Sequence, residues 1–281
     1  MKEEIIHFLR ETIEEYNYKG VVVGVSGGVD SAVVISLCAE ALEKDKILGL
    51  ILPERDSSPD TVNDAIMVCE NLGVRYIVKP ITKTLRTIGV YRLQPPTFFI
   101  PRKIQEKYVK NKWKSLSKKD AYIEDLRNEG NEEFLKGIAY YRIKHRIRMC
   151  YLYFEAEKRG YAVVGTTNKT EYRLGFYVKW GDDAVDIEPI LHLYKTQVYE
   201  LARELNVPEK IIRKPPSPDL IPGITDEFAI GMSYQDADRI LMKIERGEDL
   251  SGEDPKKVKK INEILENVRF REIRMKSLPS R

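Results

Sequence analysis

The stretch GVVVGVSGGVDSAVVISL, Gly20 to Leu37, decides the fold. Its apolar run from Val21 to Val25 predicts a buried strand, and an apolar helical pattern follows from Ser31 to Leu42. Between them lies the turn Ser26-Gly27-Gly28-Val29-Asp30-Ser31. A glycine turn at this place offers backbone N–H groups and a helix start to a ligand, so the sequence predicts a phosphate-binding loop.

Asp30 is the unusual residue of this turn. The glycines allow the backbone to approach phosphate oxygens closely, and the Ser26 and Ser31 hydroxyls can donate hydrogen bonds. A carboxylate beside phosphate would repel it unless a cation lies between them, so Asp30 predicts bound Mg²⁺. The turn also lacks the lysine of the common nucleotide-binding P-loop.

Strands and helices alternate through the first part of the chain. A buried strand is predicted at Ile47–Pro53 and a further strand at Val74–Lys79, with a helix between them that starts at Ser58-Pro59 and ends at Gly73. A long helical pattern after Asn131 leads into a further strand at 161–167. This alternation predicts an α/β fold, a doubly wound parallel sheet with helices on both faces.

Composition excludes some functional classes. Among 281 residues, 47 are Lys or Arg and 44 are Asp or Glu, a balance that disfavours a surface built for nucleic acid. No run is long and apolar enough to span a membrane, and the N-terminus lacks signal-peptide character, so we expect a cytoplasmic location.

Cys38, Cys69 and Cys150 lie among apolar residues of predicted helices, so we expect three buried, reduced thiols.

The alternation breaks between about residues 94 and 135. Prolines interrupt Gln94–Pro101, and Arg102–Lys119 contains eight basic residues against the single acid Glu106. We expect an insertion in one domain that spans residues 1–281. A solvated helix or lid is the favoured interpretation of the basic part, and contact with nucleic-acid phosphates is the alternative.

The string Ser-Gly-Gly-Xaa-Asp-Ser resembles the pyrophosphate loop of the ATP pyrophosphatases, which cleave ATP between its α and β phosphates. The resemblance implies the Rossmann-like fold of the adenine nucleotide alpha-hydrolases. It also implies that this loop holds the departing pyrophosphate, which fits the missing lysine. A substrate oxygen would then attack the α-phosphate and become adenylylated.

Later strings resemble NAD synthetase, a family of that superfamily. They are GTTNKTEYRLGFYVKWGDDAVD from Gly165, PILHLYKTQVYELARELNVPEKIIRKPPS from Pro189, and TDE at 225–227. The resemblance covers about three-quarters of the chain. It implies a ligase that uses ATP, Mg²⁺ and ammonia to amidate deamido-NAD to NAD⁺, with AMP and pyrophosphate as products, and it implies a homodimer.

The resemblance also implies roles for individual residues. Asp30, Glu171 and Lys195 are the expected catalytic residues, and Asp30 and Glu171 are the expected Mg²⁺ ligands. The expected ATP-binding residues are Gly24, Val25, Ser26, Gly27, Gly28, Val29, Asp30, Ser31, Thr166, Lys195 and Ser217. The expected deamido-NAD-binding residues are Arg146, Lys179, Asp186 and Arg271.

The chain departs from the family pattern on the dinucleotide side. Asp183 and Ala184 replace a pair of glycines, Pro218-Asp219 replaces Ala-Gly, and Phe270-Arg271 replaces His-Lys. The Gly-Asn pair that usually precedes the arginine at 146 is absent. ATP activation is therefore a firmer expectation than the identity of the acid that is activated.

Several alternatives stay open at this point. The enzyme could activate a different carboxylate, or it could modify tRNA, although it lacks the loop cysteines expected of a sulfur-transfer enzyme. No glutaminase region fits within this length, so ammonia would be free or supplied by a separate glutaminase partner. Asp182 or Asp183 could help to deprotonate ammonium.

Overall fold

The computed structural model describes residues 1–93, 111, 120–217 and 224–272. Four strands form its sheet: β1 (Val21–Gly24), β2 (Ile47–Ile51), β3 (Arg75–Val78) and β4 (Ala162–Val164). They are parallel and lie in the order β3-β2-β1-β4. The strands β2 and β3 therefore follow on one side of β1, and β4 lies on the other side of β1. The chain changes direction between β1 and β4, which makes this place a topological switch point.

Helices connect and cover the strands. In chain order they are α1 (Lys2–Glu15), α2 (Val29–Ala41), α3 (Pro59–Leu72), α4 (Thr82–Ile88), α5 (Ala121–Arg127), α6 (Glu132–Glu157), α7 (Lys169–Leu174), α8 (Lys195–Glu204), α9 (Glu209–Ile212), α10 (Asp226–Ile230), α11 (Tyr234–Arg246) and α12 (Pro255–Glu272). Short 3-10 turns occur at Lys44–Lys46 and Val90–Arg92. No helix of the described residues is long and apolar enough to cross a membrane.

The two faces of the sheet bury separate cores. Val21 and Val23 of β1 face the core formed by α1, α2, α3 and α8, whereas Val22 faces α4 and α6. Alternation of side chains along a strand explains this division, and burial on both faces explains why the strand is continuously apolar. The predicted fold class, a parallel sheet covered on both faces, is confirmed.

A third core lies outside the sheet. The helices α5, α11 and α12 pack together with residues such as Tyr122, Ile240 and Ile264. Helix α5 belongs to the predicted insertion at 94–135, so this part of the insertion packs against the C-terminal helices. The basic stretch 102–119 lies outside the described residues except for Asn111, and the single-domain organisation stays a prediction.

One prediction about the cysteines is wrong. Cys38 and Cys69 are buried, and burial raises the pKa of each thiol to about 12. Cys150 is exposed instead. It shares the outer face of α6 with Phe154, four residues later, which is 58% exposed. An apolar neighbourhood in sequence does not decide which face of a long helix a residue occupies.

Candidate active site

A cavity of about 570 Å³ lies at the carboxyl ends of β1 and β4. The turn after β1, the loop after β4, the start of α8 and the end of α12 all contribute to its walls. Its volume is typical of small-molecule sites, and its position is the switch point where open α/β sheets bind ligands.

The turn at 26–31 is held in a fixed shape at one end of the cavity. Ser31 Oγ donates to the Gly28 carbonyl at 3.1 Å and accepts from the Ser26 backbone N–H at 3.1 Å. Gly27 has a φ of +71°, and a Cβ there would meet the Thr61 carbonyl oxygen at 2.3 Å. Only glycine fits this position, which lets the turn pack directly against α3.

Asn168 joins the tips of β1 and β4. Its Oδ1 accepts from the Glu171 backbone N–H at 3.0 Å, and its Nδ2 donates to Asp30 Oδ1 at 2.9 Å. In return, Glu171 Oε2 accepts from the Asn168 backbone N–H at 3.2 Å, which completes a capping box at the start of α7. One fully buried amide therefore fixes both acids that the sequence predicts as metal ligands.

Lys195 lies between these two acids. Its side chain is 1% exposed, its Nζ pairs with Asp30 Oδ2, and it lies 3.7 Å from Glu171 Oε1. Its backbone N–H donates to Thr170 Oγ1 at 2.9 Å, and the Thr170 hydroxyl donates in turn to Asp238. The first residue of α8 is thus fixed at both backbone and side chain.

Burial and like charges shift the pKa values around this lysine. Burial, followed by repulsion from Asp30, raises the pKa of Glu171 well above its ordinary value, although Lys195 opposes the shift. Burial also raises the pKa of Asp226 to about 6. For Lys195, burial lowers the pKa, but attraction to Asp30 and Glu171 outweighs burial and the net pKa is raised. Strongly shifted pKa values among neighbouring groups are typical of functional sites.

The structure brings the predicted ATP side together. All of the expected ATP-binding residues, from Gly24 through Ser31 together with Thr166, Lys195 and Ser217, line this one cavity, as does Glu171. Ser217 donates from its hydroxyl to the Ile224 carbonyl at 3.0 Å. The individual roles stay predictions, but the required proximity is present.

The predicted deamido-NAD residues are more scattered. Arg271 lines the cavity. Arg146 lies outside its walls and donates to the Lys179 carbonyl at 3.2 Å, so these two residues are neighbours. Asp186 also lies outside and accepts from the Val163 N–H and the Tyr153 hydroxyl. Within one chain, only one of the four is at the cavity.

The departures from the family pattern have local structural consequences. Asp183 Oδ1 accepts from the Trp180 backbone N–H at 2.5 Å, and Trp180 has a positive φ of 59°. Asp183 therefore stabilises this turn and does not line the cavity, whereas Asp182 does line it. Pro218 and Asp219 lie outside the described residues. Phe270 and Arg271 lie in the last turns of α12.

Sequence reasoning missed three residues of this site. Asn168 carries the signature of a capping box, Asn-x-x-Glu, that could have revealed it. Asp226, within the TDE string, lines the cavity, and its Oδ1 has no hydrogen-bond partner among the described residues. Lys214, before the prolines of KPPS, reaches back to the Gly27 carbonyl at 3.4 Å and to Asp64 at 2.9 Å. Asp226 and Lys214 lie within strings that carry the family resemblance, but their contacts across the cavity are long-range and cannot be read from those strings.

Comparison with known proteins places this geometry in a family. The model of the NAD synthase family matches residues 1–112 and 101–275. The NH(3)-dependent NAD(+) synthetases of Thermotoga neapolitana and Thermotoga maritima are each 70% identical over 266 residues. The alignments cover 95% of this chain and 91% and 94% of those proteins, respectively.

Solved structures are similar over almost the full chain. The NMN synthetase from Francisella tularensis matches with a TM-score of 0.75 at 27% identity, covering 99% of this chain and 97% of that one. The NH3-dependent NAD synthetase from Campylobacter jejuni, in complex with the nitrate ion, matches with a TM-score of 0.71 at 25% identity and the same coverage.

Proposed function

This chain belongs to the NAD synthase family, and on that premise we propose that it is a ligase that converts deamido-NAD, ATP and ammonia into NAD⁺, AMP and pyrophosphate. One observation carries the proposal. The turn after β1, Thr166, Glu171 and Lys195 all meet in one cavity at the β1–β4 switch point. That is where ATP would have to lie for the loop to hold its departing pyrophosphate.

The first chemical step is adenylylation. A carboxylate oxygen of deamido-NAD attacks the α-phosphorus of ATP, a P–O bond forms, and the bond to pyrophosphate breaks. The open turn at 26–31 presents backbone N–H groups and the start of α2 to the departing group. Lys195, held rigidly at the start of α8, is placed to neutralise negative charge that develops on phosphate.

The second step forms the C–N bond. Ammonia attacks the carbonyl carbon of the adenylate, AMP leaves, and the nitrogen loses a proton. Of the two acids suggested by sequence as proton acceptors, Asp182 lines the cavity. Its Oδ1 accepts from the Val178 N–H at 2.7 Å and lies 3.7 Å from His145 Nδ1. We therefore favour Asp182 over Asp183 as the group that helps to deprotonate ammonium.

The acids at the strand tips fit a Mg²⁺ ion that enters with ATP. In this chain the Lys195 ammonium contacts Asp30 and lies near Glu171, so both carboxylates already face one cationic group. No cluster of three His, Cys, Asp or Glu residues with metal-binding geometry occurs in the part of the chain that the structure describes. Two carboxylates completed by substrate phosphates and waters are typical of Mg²⁺ sites. Bound there, the ion would neutralise phosphate charge.

The assembly of the enzyme is a further part of the proposal. We expect a homodimer through α6, the helix that carries Arg146, and this arrangement would let Arg146 and Lys179 contact a dinucleotide that extends beyond the cavity. Free ammonia or a separate glutaminase would supply nitrogen. A cytoplasmic location and the absence of nucleic-acid binding stay predictions.

A second candidate function has two observations in its favour. The structure named NMN synthetase matches this chain with a TM-score of 0.75, and Arg146, Lys179 and Asp186 lie outside the cavity. A mononucleotide acid activated by the same chemistry is shorter than a dinucleotide, so it would not need contacts with residues outside the cavity.

An assay with both acids separates the two functions. The chain is incubated with ATP, Mg²⁺ and ammonium, and with either deamido-NAD or nicotinate mononucleotide, while AMP, pyrophosphate and amide are measured. We expect NAD⁺ and AMP in equal amounts from deamido-NAD. Asp30→Ala and Glu171→Ala variants are the controls and should form neither product. AMP that forms only with the mononucleotide would establish the second function instead.

A further inference from the structure

Three helices meet at Asp125, and two of its hydrogen-bond partners, Tyr141 and Arg271, line the cavity. Asp125 belongs to α5, the helix of the predicted insertion, and it is 7% exposed. Its Oδ1 accepts from the Tyr141 hydroxyl at 2.6 Å and from Arg142 Nη2 at 3.1 Å, both from α6. Its Oδ2 accepts from Arg271 Nη2, at the end of α12. One carboxylate thus joins α5, α6 and α12.

Arg271 is held tightly but is not fully satisfied. The residue is 4% exposed, lines the cavity, and packs its stem beside Gly175, which ends the helix that carries Glu171. Its Nε has no hydrogen-bond partner among the described residues. A buried guanidinium N–H without a partner is costly, and an acceptor supplied by a ligand would remove that cost.

The local charge favours an anionic ligand. Two guanidinium groups, Arg142 and Arg271, share the single carboxylate of Asp125, which leaves one positive charge in excess. Arg142 uses its other donors on Asn128, on the Asp125 carbonyl and on the Tyr141 hydroxyl, so Arg271 is the member with spare capacity at the cavity. A planar guanidinium suits a carboxylate or phosphate.

Arg271 is already expected, from the family resemblance, to bind the acid substrate. We propose that Asp125 is the positioning residue that fixes Arg271 in the cavity wall for that contact. This rests on the proposed function for the identity of that substrate. ATP phosphates meet the turn at 26–31 and Lys195, whereas Arg271 lies beside Tyr141 and Gly175, so we assign it to the acid and not to ATP. The insertion thereby takes part in substrate specificity through α5.

A double-mutant cycle tests this assignment. Asp125→Asn, Arg271→Gln and the double variant are compared for the KM of deamido-NAD, the KM of ATP and kcat, and calorimetry gives the Kd of deamido-NAD and of nicotinate mononucleotide. We expect Arg271→Gln to raise the KM of deamido-NAD at least about tenfold. Asp125→Asn should raise it somewhat less, the double variant should match Arg271→Gln, and the KM of ATP should stay within about twofold.

Further variants separate positioning from folding. Asp120 caps the same helix and pairs with Lys260 of α12, and because Asn caps a helix as well as Asp does, Asp120→Asn removes only this ion pair between α5 and α12 and does not touch the cavity. It should leave the KM of deamido-NAD unchanged. Asp125→Glu, which keeps the charge, should restore part of the affinity, and Arg271→Lys provides a milder variant if Arg271→Gln does not fold.

Three results would overturn the inference: additive effects in the double variant, equal increases in both KM values, or identical behaviour of Asp125→Asn and Asp120→Asn. Failure of the proposed function is distinguishable, because it would appear as a wild-type enzyme that forms no NAD⁺. In that case the calorimetric Kd of the two acids still decides whether Asp125 acts through Arg271.

Discussion

Lys144 and Lys195 are both buried lysines paired with two acids, yet their surroundings differ. Lys144 donates to Glu54 and Asp56 at 2.9 Å each, and the hydroxyls of Tyr91 and Tyr140 donate to the same acids. None of these residues lines the cavity. We call this set, Glu54, Asp56, Tyr91, Tyr140 and Lys144, the sealed cluster.

The second set opens onto the cavity. We call Asp30, Glu171, Lys195 and Asp226 the open cluster. Burial raises the pKa of its acids Glu171 and Asp226, and one Asp226 oxygen has no partner among the described residues. In the sealed cluster, burial acts to raise the pKa of Asp56, but Lys144 and Arg55 outweigh it and the pKa is lowered. Satisfied buried charge supports the fold, whereas unsatisfied buried charge marks the site that receives a charged ligand.

The largest expected effect is on catalysis in the open cluster. Lys195→Met should lower kcat for NAD⁺ formation by about 10²–10³-fold, because the positive charge at phosphate is lost. Lys169 begins the adjacent α7 and forms a surface ion pair with Glu245 of α11, so Lys169→Met should change kcat by less than about twofold. A folded Lys195→Met enzyme that keeps most of its activity would remove the distinction between the clusters.

The next effect is on stability in the sealed cluster. Lys144→Met should lower the free energy of unfolding by about 3–5 kcal/mol, because Glu54 and Asp56 would remain buried without their cation. Urea denaturation measures this change, and kcat of the folded fraction should be unaltered. Lys136→Met is the matched control on the same helix, because its pair with Glu132 is exposed and contributes about 0.5 kcal/mol or less. Equal losses for the two variants would contradict the assignment.

The two clusters should respond to pH with opposite sign. The pKa of Asp226 is about 6 in the folded chain, whereas its ordinary value is 3.8. Ionisation of this buried carboxyl group therefore lowers the free energy of unfolding as pH rises from about 4 to 6. Asp56 has a lowered folded pKa, so its stabilisation is present above pH 3.8 and is lost as pH falls below that value. The free energy of unfolding of each variant is measured relative to wild type between pH 3 and 8. This difference should increase with pH for Asp226→Asn and decrease with pH for Asp56→Asn. Parallel slopes would show that the clusters are equivalent.

The smallest effect separates two tyrosine hydroxyls. Tyr91 donates to Glu54 at 2.8 Å and Tyr234 donates to Asp226 at 2.9 Å. Tyr91→Phe should lower the free energy of unfolding by about 1.5–3 kcal/mol and leave kcat unchanged. Tyr234→Phe should lower kcat several-fold, because Asp226 would no longer be fixed at the cavity. The opposite pattern in paired denaturation and activity measurements would reverse the assignment of the two clusters.

Local patterns predicted the part of the site that local structure builds. The valine strand and the glycine turn specify the phosphate loop without help from the rest of the chain, and the predicted acids Asp30 and Glu171 do lie together. Parallel strands bring their carboxyl ends to one edge, which is why residues 141 positions apart in sequence could be paired in advance.

The features that sequence reasoning did not predict depend on packing between elements that are distant in sequence. Nothing near Lys144 indicates that it would be buried, since its partners Glu54 and Asp56 come from the loop after β2. The convergence of α5, α6 and α12 on Asp125 is equally invisible along the chain. Exposure of Cys150 depends on which side of α6 meets the sheet, and that rotation is set by tertiary contacts.

Binding of Mn²⁺ in the presence of a nonhydrolysable ATP analogue tests most directly whether Asp30 and Glu171 share one cation. Electron paramagnetic resonance titrations would compare the wild type, Asp30→Asn, Glu171→Gln and the double variant, with Mn²⁺ in place of Mg²⁺. A shared ion predicts that each single variant binds Mn²⁺ more weakly than the wild type, that the double variant binds it most weakly, and that the number of bound ions stays the same. Unchanged binding in either single variant, or loss of a separate ion in each of them, would contradict a common cation site at the β1–β4 switch point.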